Sequence, residues 1–437
     1  MGKKVYLEQL GCPKNEVDGQ HLLGALSRAG YTRTLDPSQG DVLVVNTCGF
    51  IDSAKEESID RILTLAQHKK DGNARLLVAG CLAQRYPKQL LADIPEIDAL
   101  VGIDRIEDVV AAATGEGVGN CYVGRPNAIY DEFEAPRLME DAQRWAYLKI
   151  SDGCDNACSF CAIPQFRGKN RSRKFEEIVS EARQLAASGV LELVVVAQDT
   201  TSYGVDLYGR ARLAELLLAL ADVHGIAWVR LMYAFPAFVD EALIDVITGA
   251  DRVARYLDMP IQHIDHDLLL SMNRRLGESG TRSLLETIRR RNDRVALRTS
   301  VIAGHPGESS AAFHRLLDFV ADFEFDRLGV FLYSEEDGTK SARHANKVDR
   351  ATAEHRRRLL HDLQSDILAR RQEERVGETL QVLVEREESD GVWGRSEWDA
   401  PEVDCAVRLE GRAHAGLVAA RCTGVEGVDL VAEVLVP

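Results

Sequence analysis

The chain has 437 residues, enough for two or three domains with their own cores, and 45% of its residues are hydrophobic while 28% are charged. Its formal net charge of −16 argues against a dedicated nucleic-acid-binding protein, since such proteins usually carry a basic footprint. No apolar run approaches the roughly 18 residues of a membrane-spanning helix. The first ten residues follow a strand pattern without the apolar core of a signal peptide. We therefore expect a cytoplasmic protein with no membrane partner.

Strand and helix patterns alternate through the first 125 residues. Three strand patterns end at a cysteine, namely KVYLEQLGC at Cys12, DVLVVNTC at Cys48 and ARLLVAGC at Cys81. A helix pattern follows each strand, and Asn15 is expected to cap the first of these helices. The alternation predicts an N-terminal α/β domain with a mostly parallel sheet over residues 1–125.

A second alternation begins after a segment with two prolines and no clear period, which we interpret as a linker over residues 126–142. Strand patterns separated by helix patterns then follow, namely WAYLKI, ELVVVAQD, WVRLMYA, YLDMPIQH, VALRTSVIAG and RLGVFLYS. A closed eight-unit barrel typically needs about 250 residues, so this shorter series predicts an open (β/α)6 barrel. Together with the charged helix pattern at 351–375, it forms a predicted central domain over residues 143–374.

The C-terminal residues 375–437 change to short strand patterns, namely TLQVLVERE, GVWGRSEW, DCAVRLEG and GVDLVAEVLV. Turns are expected at Asp390–Gly391 and at Gly424. Such strands predict a small antiparallel β-barrel. The predicted fold class is therefore multi-domain α/β with a C-terminal β-barrel.

Three cysteines lie within eight residues, Cys154, Cys158 and Cys161, directly after the first strand pattern of the central domain. This position predicts a loop at the carboxyl-end mouth of the barrel, where active sites of this architecture lie. Zinc usually takes four ligands, and no fourth Cys or His is nearby. A 4Fe-4S cluster normally takes four thiolates, so three would leave one iron open to a ligand. A zinc protein, or a protein that only stores clusters or transfers electrons, stays an alternative.

The second set of cysteines is Cys12, Cys48 and Cys81, each at the carboxyl end of a predicted parallel strand. Neighbouring strands lie about 4.8 Å apart, so the three sulfurs can converge in one crevice outside the strand ends. We predict a second three-thiolate site there. The alternative is that these cysteines are small buried apolar side chains. The remaining cysteines, Cys121, Cys405 and Cys422, are interpreted as core or surface thiols.

The C-x3-C-x2-C spacing, with the aromatic Phe160 before the last cysteine, resembles the radical S-adenosylmethionine motif. The resemblance implies that Cys154, Cys158 and Cys161 hold a 4Fe-4S cluster whose open iron binds S-adenosylmethionine. It also implies that the reduced cluster cleaves this cofactor and releases a 5′-deoxyadenosyl radical.

With both cysteine sets, the chain resembles the methylthiotransferases along nearly its whole length, with a cluster domain, a radical S-adenosylmethionine domain and a TRAM domain. One branch modifies an aspartate of the twelfth protein of the small ribosomal subunit, and another modifies an adenosine in tRNA. The motifs GCPKN, CSFCAIPQFRGKNRSR, AQDTTSYG, GVFLYSEEDGT and DAPEVD resemble the ribosomal-protein branch. One departure is LRTSVIAGHPGE, where His305 replaces the usual aromatic residue.

The resemblance implies a second 4Fe-4S cluster on Cys12, Cys48 and Cys81 that supplies a methylthio group to the radical formed at the β-carbon of the aspartate. Two S-adenosylmethionine molecules are then consumed, and the two cluster sites are expected to face each other. Gln198 and Asp199 are candidates for the cofactor's methionine or ribose groups, and Ile302 and Gly304 for its adenine. The basic residues that follow the cysteine loop are interpreted as a solvated charge run, or as a site for a carboxylate; they are Arg167, Lys169, Arg171 and Arg173.

Charge in the C-terminal domain favours the same branch, because residues 376–437 contain 13 Asp and Glu, 5 Arg and no Lys. A domain that binds tRNA phosphates should be basic, whereas an acidic domain suits a basic ribosomal protein. The expected partners are therefore a basic protein of the small ribosomal subunit and an external electron donor, with no direct nucleic-acid substrate. A tRNA adenosine methylthiotransferase, or an acidic face that is only solvated, stays an alternative.

Overall fold

The computed structural model describes residues 2–69, 74–116, 119–126, 137–139, 143–389, 391–411 and 413–435. They form two compact units. The first comprises the described parts of Met1–Asp141, Ser151–Lys174 and Ser334–Ala342, and the second those of Ala142–Ile150, Phe175–Tyr333 and Arg343–Pro437. Most of the predicted linker lies outside the described residues, and the predicted domain boundaries stay predictions.

The strands are numbered in chain order. They are β1 Lys4–Gln9, β2 Thr32–Arg33, β3 Val42–Thr47, β4 Arg75–Gly80, β5 Ala99–Val101, β6 Cys121–Tyr122, β7 Trp145–Lys149, β8 Ser151–Asp152, β9 Arg171–Ser172, β10 Glu192–Val196, β11 Trp228–Leu231, β12 Val253–Asp258, β13 Ala296–Ala303, β14 Arg327–Leu332, β15 Thr379–Glu388, β16 Gly391–Ser396, β17 Val407–Glu410, β18 Leu417–Glu426 and β19 Asp429–Val434.

The α-helices are numbered in the same way. They are α1 Pro13–Arg28, α2 Asp52–His68, α3 Cys81–Arg85, α4 Pro87–Asp93, α5 Asp108–Thr114, α6 Ile163–Phe166, α7 Phe175–Ala187, α8 Val205–Tyr208, α9 Leu213–Ala221, α10 Glu241–Gly249, α11 His266–Ser271, α12 Gly277–Arg291, α13 Ser310–Phe323 and α14 Arg350–Glu374. Short 3-10 helices lie at Pro37–Gln39, Pro236–Phe238 and Ser341–Arg343. None of the helices in the described ranges is both long and apolar enough to cross a bilayer.

The sheet of the first unit has the strand order β2-β1-β3-β4-β5-β6, and its strands run parallel. Its strands β3 and β4 are mostly apolar and buried along nearly their whole length, as expected of a sheet covered by helices on both faces. Helix α1 begins at Pro13, where the missing N–H would be unpaired in any case. The predicted cap is wrong, because Cys12 occupies the N-cap position. Asn15 lies within the first turn and donates its side-chain N–H to the carbonyl of Leu10 at 2.8 Å.

The main sheet of the second unit has the order β14-β13-β12-β11-β10-β7, again with parallel pairing. Each predicted strand of the central domain is present, and β14 and β7 are the two edges, so the sheet is open. This confirms the predicted partial barrel. The strands between the edges are largely buried, and helix α14 packs against β14.

The C-terminal strands close into a barrel in the order β15-β16-β17-β19-β18. The predicted barrel is confirmed, although its pairing of β17 with β19 is parallel rather than antiparallel, and the sequence pattern missed β18. Gly424, expected in a turn, lies inside β18 at a register shift opposite Val431. The other predicted turn includes Asp390, which is outside the described residues.

Buried charges join this barrel to the sheet of the second unit. Glu192 of β10 accepts hydrogen bonds from Arg230 of β11 and from Arg395 of β16, both at 2.6 Å. Arg230 also donates to the backbone carbonyl of Glu397 at 2.7 Å. The barrel is therefore attached to the sheet through buried ion pairs and hydrogen bonds.

The DAPEVD segment, Asp399–Asp404, lies between β16 and β17 and extends this contact. Asp399 pairs with Arg327, and Asp404 accepts a hydrogen bond from Tyr256 at 2.7 Å and lies 3.4 Å from Arg298. Both carboxylates are buried. These two acids therefore neutralise arginines of the sheet, which weakens the interpretation that the barrel's acidity serves mainly to attract a basic partner.

Candidate iron–sulfur sites and cofactor-binding residues

Cys12, Cys48 and Cys81 lie at one edge of the sheet in the first unit. Strands β1, β3 and β4 are adjacent and parallel, so their carboxyl ends meet at the same edge. Cys48 directly follows β3, Cys81 directly follows β4, and Cys12 comes three residues after the last residue of β1. The structure thus brings the three predicted thiols to one edge.

Two glycines permit the cysteine-bearing segments to pack closely. Gly11 has φ +91°, and a Cβ there would lie 2.9 Å from Cβ of Cys48 and 3.4 Å from its Sγ. A Cβ on Gly49 would lie 2.9 Å from the carbonyl carbon of Cys81 and from backbone atoms of Leu82. Any side chain at either position would push two of the segments apart.

The charges around these thiols show that the three groups interact. Burial disfavours ionisation of Cys12, but the charges of Lys14 and Arg167 outweigh it and lower the pKa of this thiol. Burial, with repulsion from Cys81 and Cys12, raises the pKa of Cys48 to about 12. Burial also raises the pKa of Cys81, against the opposing charge of Arg167. The Cys12 thiol therefore ionises more readily than the thiols of Cys48 and Cys81, whose ionised forms burial disfavours.

Polar side chains hold the edge in place. Asn46 donates to the backbone carbonyl of Asn15 at 2.7 Å, and Asn15 donates to the carbonyl of Thr47 at 3.2 Å. The hydroxyl of Ser58 accepts from the N–H of Cys48 at 3.1 Å and donates to its carbonyl at 3.0 Å. These bonds fix the backbone on both sides of two of the thiols.

The second cysteine set lies on the loop between β8 and β9, which pair antiparallel and belong to the same unit. The N–H of Cys154 donates to the carbonyl of Gly168 at 3.1 Å, and the N–H of Cys161 donates to the carbonyl of Cys158 at 3.2 Å. The N–H of Asn156 approaches Sγ of Cys154 at 3.4 Å. All three cysteines are half-buried, unlike the buried core thiols Cys405 and Cys422. Phe160 is half-buried on this loop.

Within the described residues, no group of three or more Cys, His, Asp or Glu side chains is gathered tightly enough to hold a single metal ion. A cluster of four irons occupies more space than one ion and spreads its thiolates over different irons.

Direct contacts join the segments that carry the two cysteine sets. Cys81 packs in one hydrophobic cluster with Ala162 and Phe166, which closely follow Cys161, and with Ile103. The expectation that the two sets lie near each other thus has support in packing within the first unit.

The basic residues after the loop are not a uniformly solvated run. Lys169 is exposed and Arg171 half-buried, but Arg167 and Arg173 are buried. The guanidinium of Arg167 is 2% exposed and donates to Asp152, Asp18 and Sγ of Cys81. The interpretation as a solvated charge run is therefore wrong for Arg167 and Arg173.

The remaining cofactor candidates lie in the second unit, at carboxyl ends of its sheet. Gln198 and Asp199 follow β10, Ile302 lies near the end of β13, and Gly304 follows that strand. The Oε1 atom of Gln198 is buried and has no hydrogen-bond partner among the described residues. Asp199 instead accepts hydrogen bonds from the hydroxyls of Thr201 and Ser202, so its carboxylate organises its own turn.

A buried group that the sequence interpretation passed over fixes the turn after β13. Glu308 accepts from the N–H of Gly304 at 2.6 Å and from Arg356 at 2.7 Å, and lies 3.3 Å from His263. The signal was present, since Glu308 ends the quoted motif LRTSVIAGHPGE. His305 packs edge-on against Tyr333 with ring centroids 5.3 Å apart, so the imidazole takes an aromatic packing position.

Three family profiles match the chain in succession. They are Uncharacterized protein family UPF0004 over residues 4–102, the Radical SAM superfamily over residues 148–320 and the TRAM domain over residues 376–435.

Curated relatives match over nearly the whole chain. The ribosomal protein uS12 methylthiotransferase RimO of Heliobacterium modesticaldum is 46% identical over 414 residues, covering 94% of this chain and 90% of the relative. The protein of the same name from Clostridioides difficile is 44% identical and covers 93% of this chain and 92% of its own length. That of Acetivibrio thermocellus is 41% identical, with 100% and 99% covered.

Solved structures share the fold at low sequence identity. The radical S-adenosylmethionine methyltransferase TsrM of Kitasatospora setae, with cobalamin and a 4Fe-4S cluster bound, superposes with a TM-score of 0.59 and 15% identity, over 78% of this chain and 77% of TsrM. The cobalamin-dependent S-adenosylmethionine radical enzyme OxsB, with aqua-cobalamin and S-adenosylmethionine bound, gives a TM-score of 0.53 and 12% identity, over 82% of this chain and 56% of OxsB. These similarities concern the fold alone.

Proposed function

The chain belongs to the ribosomal protein uS12 methylthiotransferase family, and from this premise we propose that it transfers a methylthio group to the β-carbon of an aspartate in uS12. The reaction uses two molecules of S-adenosylmethionine and two 4Fe-4S clusters. A hydrogen on such a carbon is not acidic, so removing it needs radical rather than general-base chemistry.

The proposed ligands are Cys154, Cys158 and Cys161 for the cluster that binds S-adenosylmethionine, and the N-terminal cysteines for the second cluster. The position of Cys12, Cys48 and Cys81 at adjacent strand ends supports the second assignment. A thiolate set needs cationic compensation, and the charges of Lys14 and Arg167, which act on Cys12, fit this requirement.

The residues proposed for S-adenosylmethionine are Phe160, Gln198, Asp199, Ile302 and Gly304. The Oε1 atom of Gln198, which is buried and has no hydrogen-bond partner among the described residues, supports a polar ligand at the end of β10. The occupied carboxylate of Asp199 and the Glu308 bond to the N–H of Gly304 favour positioning roles for these residues. Each acts by holding its strand end in place.

When bound, the clusters and S-adenosylmethionine supply the radical and the sulfur, which protein side chains cannot provide. The chain's own residues have three tasks. Gly11 and Gly49 keep the N-terminal thiols close together, and the bonds of Ser58 to the backbone of Cys48 keep that segment rigid. The apolar cluster of Phe50, Cys81 and Phe166 excludes water beside the thiols.

We further propose an N-terminal cluster domain at 1–125, a linker at 126–142, a radical S-adenosylmethionine domain at 143–374 and a TRAM domain at 375–437. An external one-electron donor must reduce the cluster. A ribosomal-protein substrate places the enzyme in the cytoplasm, and tRNA is not a substrate of this proposal.

One observation carries the proposal. The segments bearing the two cysteine sets belong to one compact unit and share both an apolar cluster and the contacts of Arg167. Two cofactors that must exchange a group within one reaction need such proximity.

Anaerobic iron counting tests the two sites. The wild-type chain should bind about eight irons, and Cys48→Ala about four, because each cluster contains four. Cys405→Ala is the matched control, since Cys405 is buried in the second unit and should not change the count. A Cys48→Ala variant that keeps all its iron would contradict the N-terminal site.

Mass spectrometry tests the substrate. The reconstituted enzyme, with S-adenosylmethionine, a sulfur source and a low-potential reductant, should add the mass of one methylthio group in place of one hydrogen to uS12. Cys48→Ala should still release 5′-deoxyadenosine but leave uS12 without sulfur. Modification of tRNA and not of uS12 would overturn the proposed substrate.

A further inference from the structure

Arg167 is a buried cation whose contacts join the segments that carry both cysteine sets. Its Nη1 donates to both carboxylate oxygens of Asp152, at 2.9 and 3.1 Å. Its Nη2 donates to Asp18 at 3.0 Å and to Sγ of Cys81 at 3.1 Å. A fork of this kind is specific to arginine, because a lysine ammonium cannot make parallel bonds in a fixed plane.

The positions of these partners show which cysteine-bearing segments Arg167 connects. Asp152 lies in β8, two residues before Cys154, and Arg167 itself follows Cys161 by six residues. Asp18 lies in α1, whose N-cap is Cys12, and Cys81 is the first residue of α3. One guanidinium therefore contacts a strand that ends two residues before Cys154, the helix that follows Cys12, and the sulfur of Cys81.

A charge at this position must be compensated. A guanidinium stays protonated throughout the accessible pH range, and the carboxylates of Asp152 and Asp18 both lie within hydrogen-bond distance of it. The side chain is therefore a permanent cation in contact with a thiol sulfur. The carboxylates of Asp152 and Asp18 are enough to neutralise the buried guanidinium. The hydrogen bond from Arg167 to Sγ of Cys81 therefore needs a separate explanation.

We propose that Arg167 is a positioning residue that ties the two cysteine-bearing segments together and raises the reduction potential of the cluster on Cys12, Cys48 and Cys81. This inference rests on the proposed function, since it takes those three thiols as cluster ligands. An N–H donated to a ligand sulfur and a nearby positive charge both stabilise the more negative, reduced state of a cluster. Asp18 has the opposite effect, because its negative charge lies beside the same guanidinium.

The test is an anaerobic redox titration of the full reconstituted chain, followed by electron paramagnetic resonance. A variant lacking Cys154, Cys158 and Cys161 assigns the signal of the N-terminal cluster. Arg167→Gln should lower the midpoint potential of that cluster by at least about 59 mV. For a one-electron couple, this shift corresponds to a tenfold change in the ratio of reduced to oxidised protein. Asp18→Asn should raise the same potential.

Lys169→Gln is the matched control. It removes the same charge from the same loop, two residues away, but from an exposed side chain. It should leave the potential unchanged, because an exposed charge is screened by solvent. If Arg167→Gln does not retain about eight irons, the redox titration is carried out on Arg167→Lys instead. It keeps the charge but loses the fork, so a smaller downward shift is expected.

The outcomes separate this inference from the proposed function. A wild-type chain that binds only one cluster contradicts the N-terminal site itself. Two clusters with a potential insensitive to Arg167 and Asp18, or equally sensitive to Lys169, overturn the role of Arg167 and leave the two sites standing. Opposite shifts for Arg167→Gln and Asp18→Asn support it, because a loss of packing alone would not change sign between the two variants.

Discussion

Glu192 provides a sharp test of how the barrel is attached to the sheet. Its side chain is 0% exposed, and it is the partner of two arginines, Arg230 and Arg395, which are 0% and 4% exposed. Burial opposes ionisation of Glu192, but the two guanidinium groups outweigh it and lower its pKa. The carboxylate is therefore charged at neutral pH, and Glu192→Gln removes one buried negative charge.

The loss of stability in Glu192→Gln depends on which partners Arg230 and Arg395 retain in the variant. Arg395 keeps Glu385, to which it donates at 2.7 Å, whereas Arg230 keeps backbone carbonyls of the barrel segment but no carboxylate in the part of the chain that the structure describes. Breaking a buried ion pair by removing one partner costs about 3–5 kcal/mol, because the remaining charge is uncompensated. With a urea dependence of roughly 3 kcal/mol per molar, the midpoint of unfolding should fall by about 1 M or more.

Anaerobic urea denaturation followed by circular dichroism measures this effect, and Glu215→Gln is the matched control. Glu215 also pairs with two arginines, Arg210 and Arg212, but is 41% exposed, so its variant should hardly move the midpoint. If Glu192→Gln moves the midpoint no more than Glu215→Gln, the buried network does not secure the barrel and the reasoning fails.

Two further predictions concern the N-terminal thiols and the turn after β13. Gly49→Ala should reduce the iron content towards that of Cys48→Ala, because its Cβ would lie 2.9 Å from the backbone of Cys81, whereas Gly249→Ala, with open space around it, should not. Burial lowers the pKa of His305 from 6.5 to about 4, so the unfolded chain binds the proton first and stability is lost as pH falls from 6.5 to 4. Between pH 7.5 and 5 this loss is about 2 kcal/mol. His305→Phe should remove this loss of stability, so the urea midpoint of the variant should fall less between the two pH values than that of the wild-type chain. An equal fall in both proteins would contradict the lowered pKa of His305.

Local patterns were sufficient to predict the succession of a parallel α/β domain, an open partial barrel and a small β-barrel, and the place of Cys48 and Cys81 at strand ends. The covalent chain itself keeps Cys154, Cys158 and Cys161 close together, since the three residues lie within one short loop. The strand ends at Cys48 and Cys81 followed from apolar runs that stop at the cysteine, because a run of buried residues must end where the chain leaves the sheet. Parallel pairing then placed these ends at one edge without knowledge of any contact.

The sequence pattern failed where a residue's role depends on a partner far along the chain. Arg167 looked like part of a solvated basic run, yet its partners Cys81 and Asp18 are 86 and 149 residues away. Asp404 looked like surface acidity but pairs with an arginine of the sheet more than one hundred residues earlier. Strand β18 was missed because a bulge at Gly424 interrupts its alternation. Charge and spacing are properties of the sequence, but only packing decides which charges lose their water, and a charge without water must find a partner.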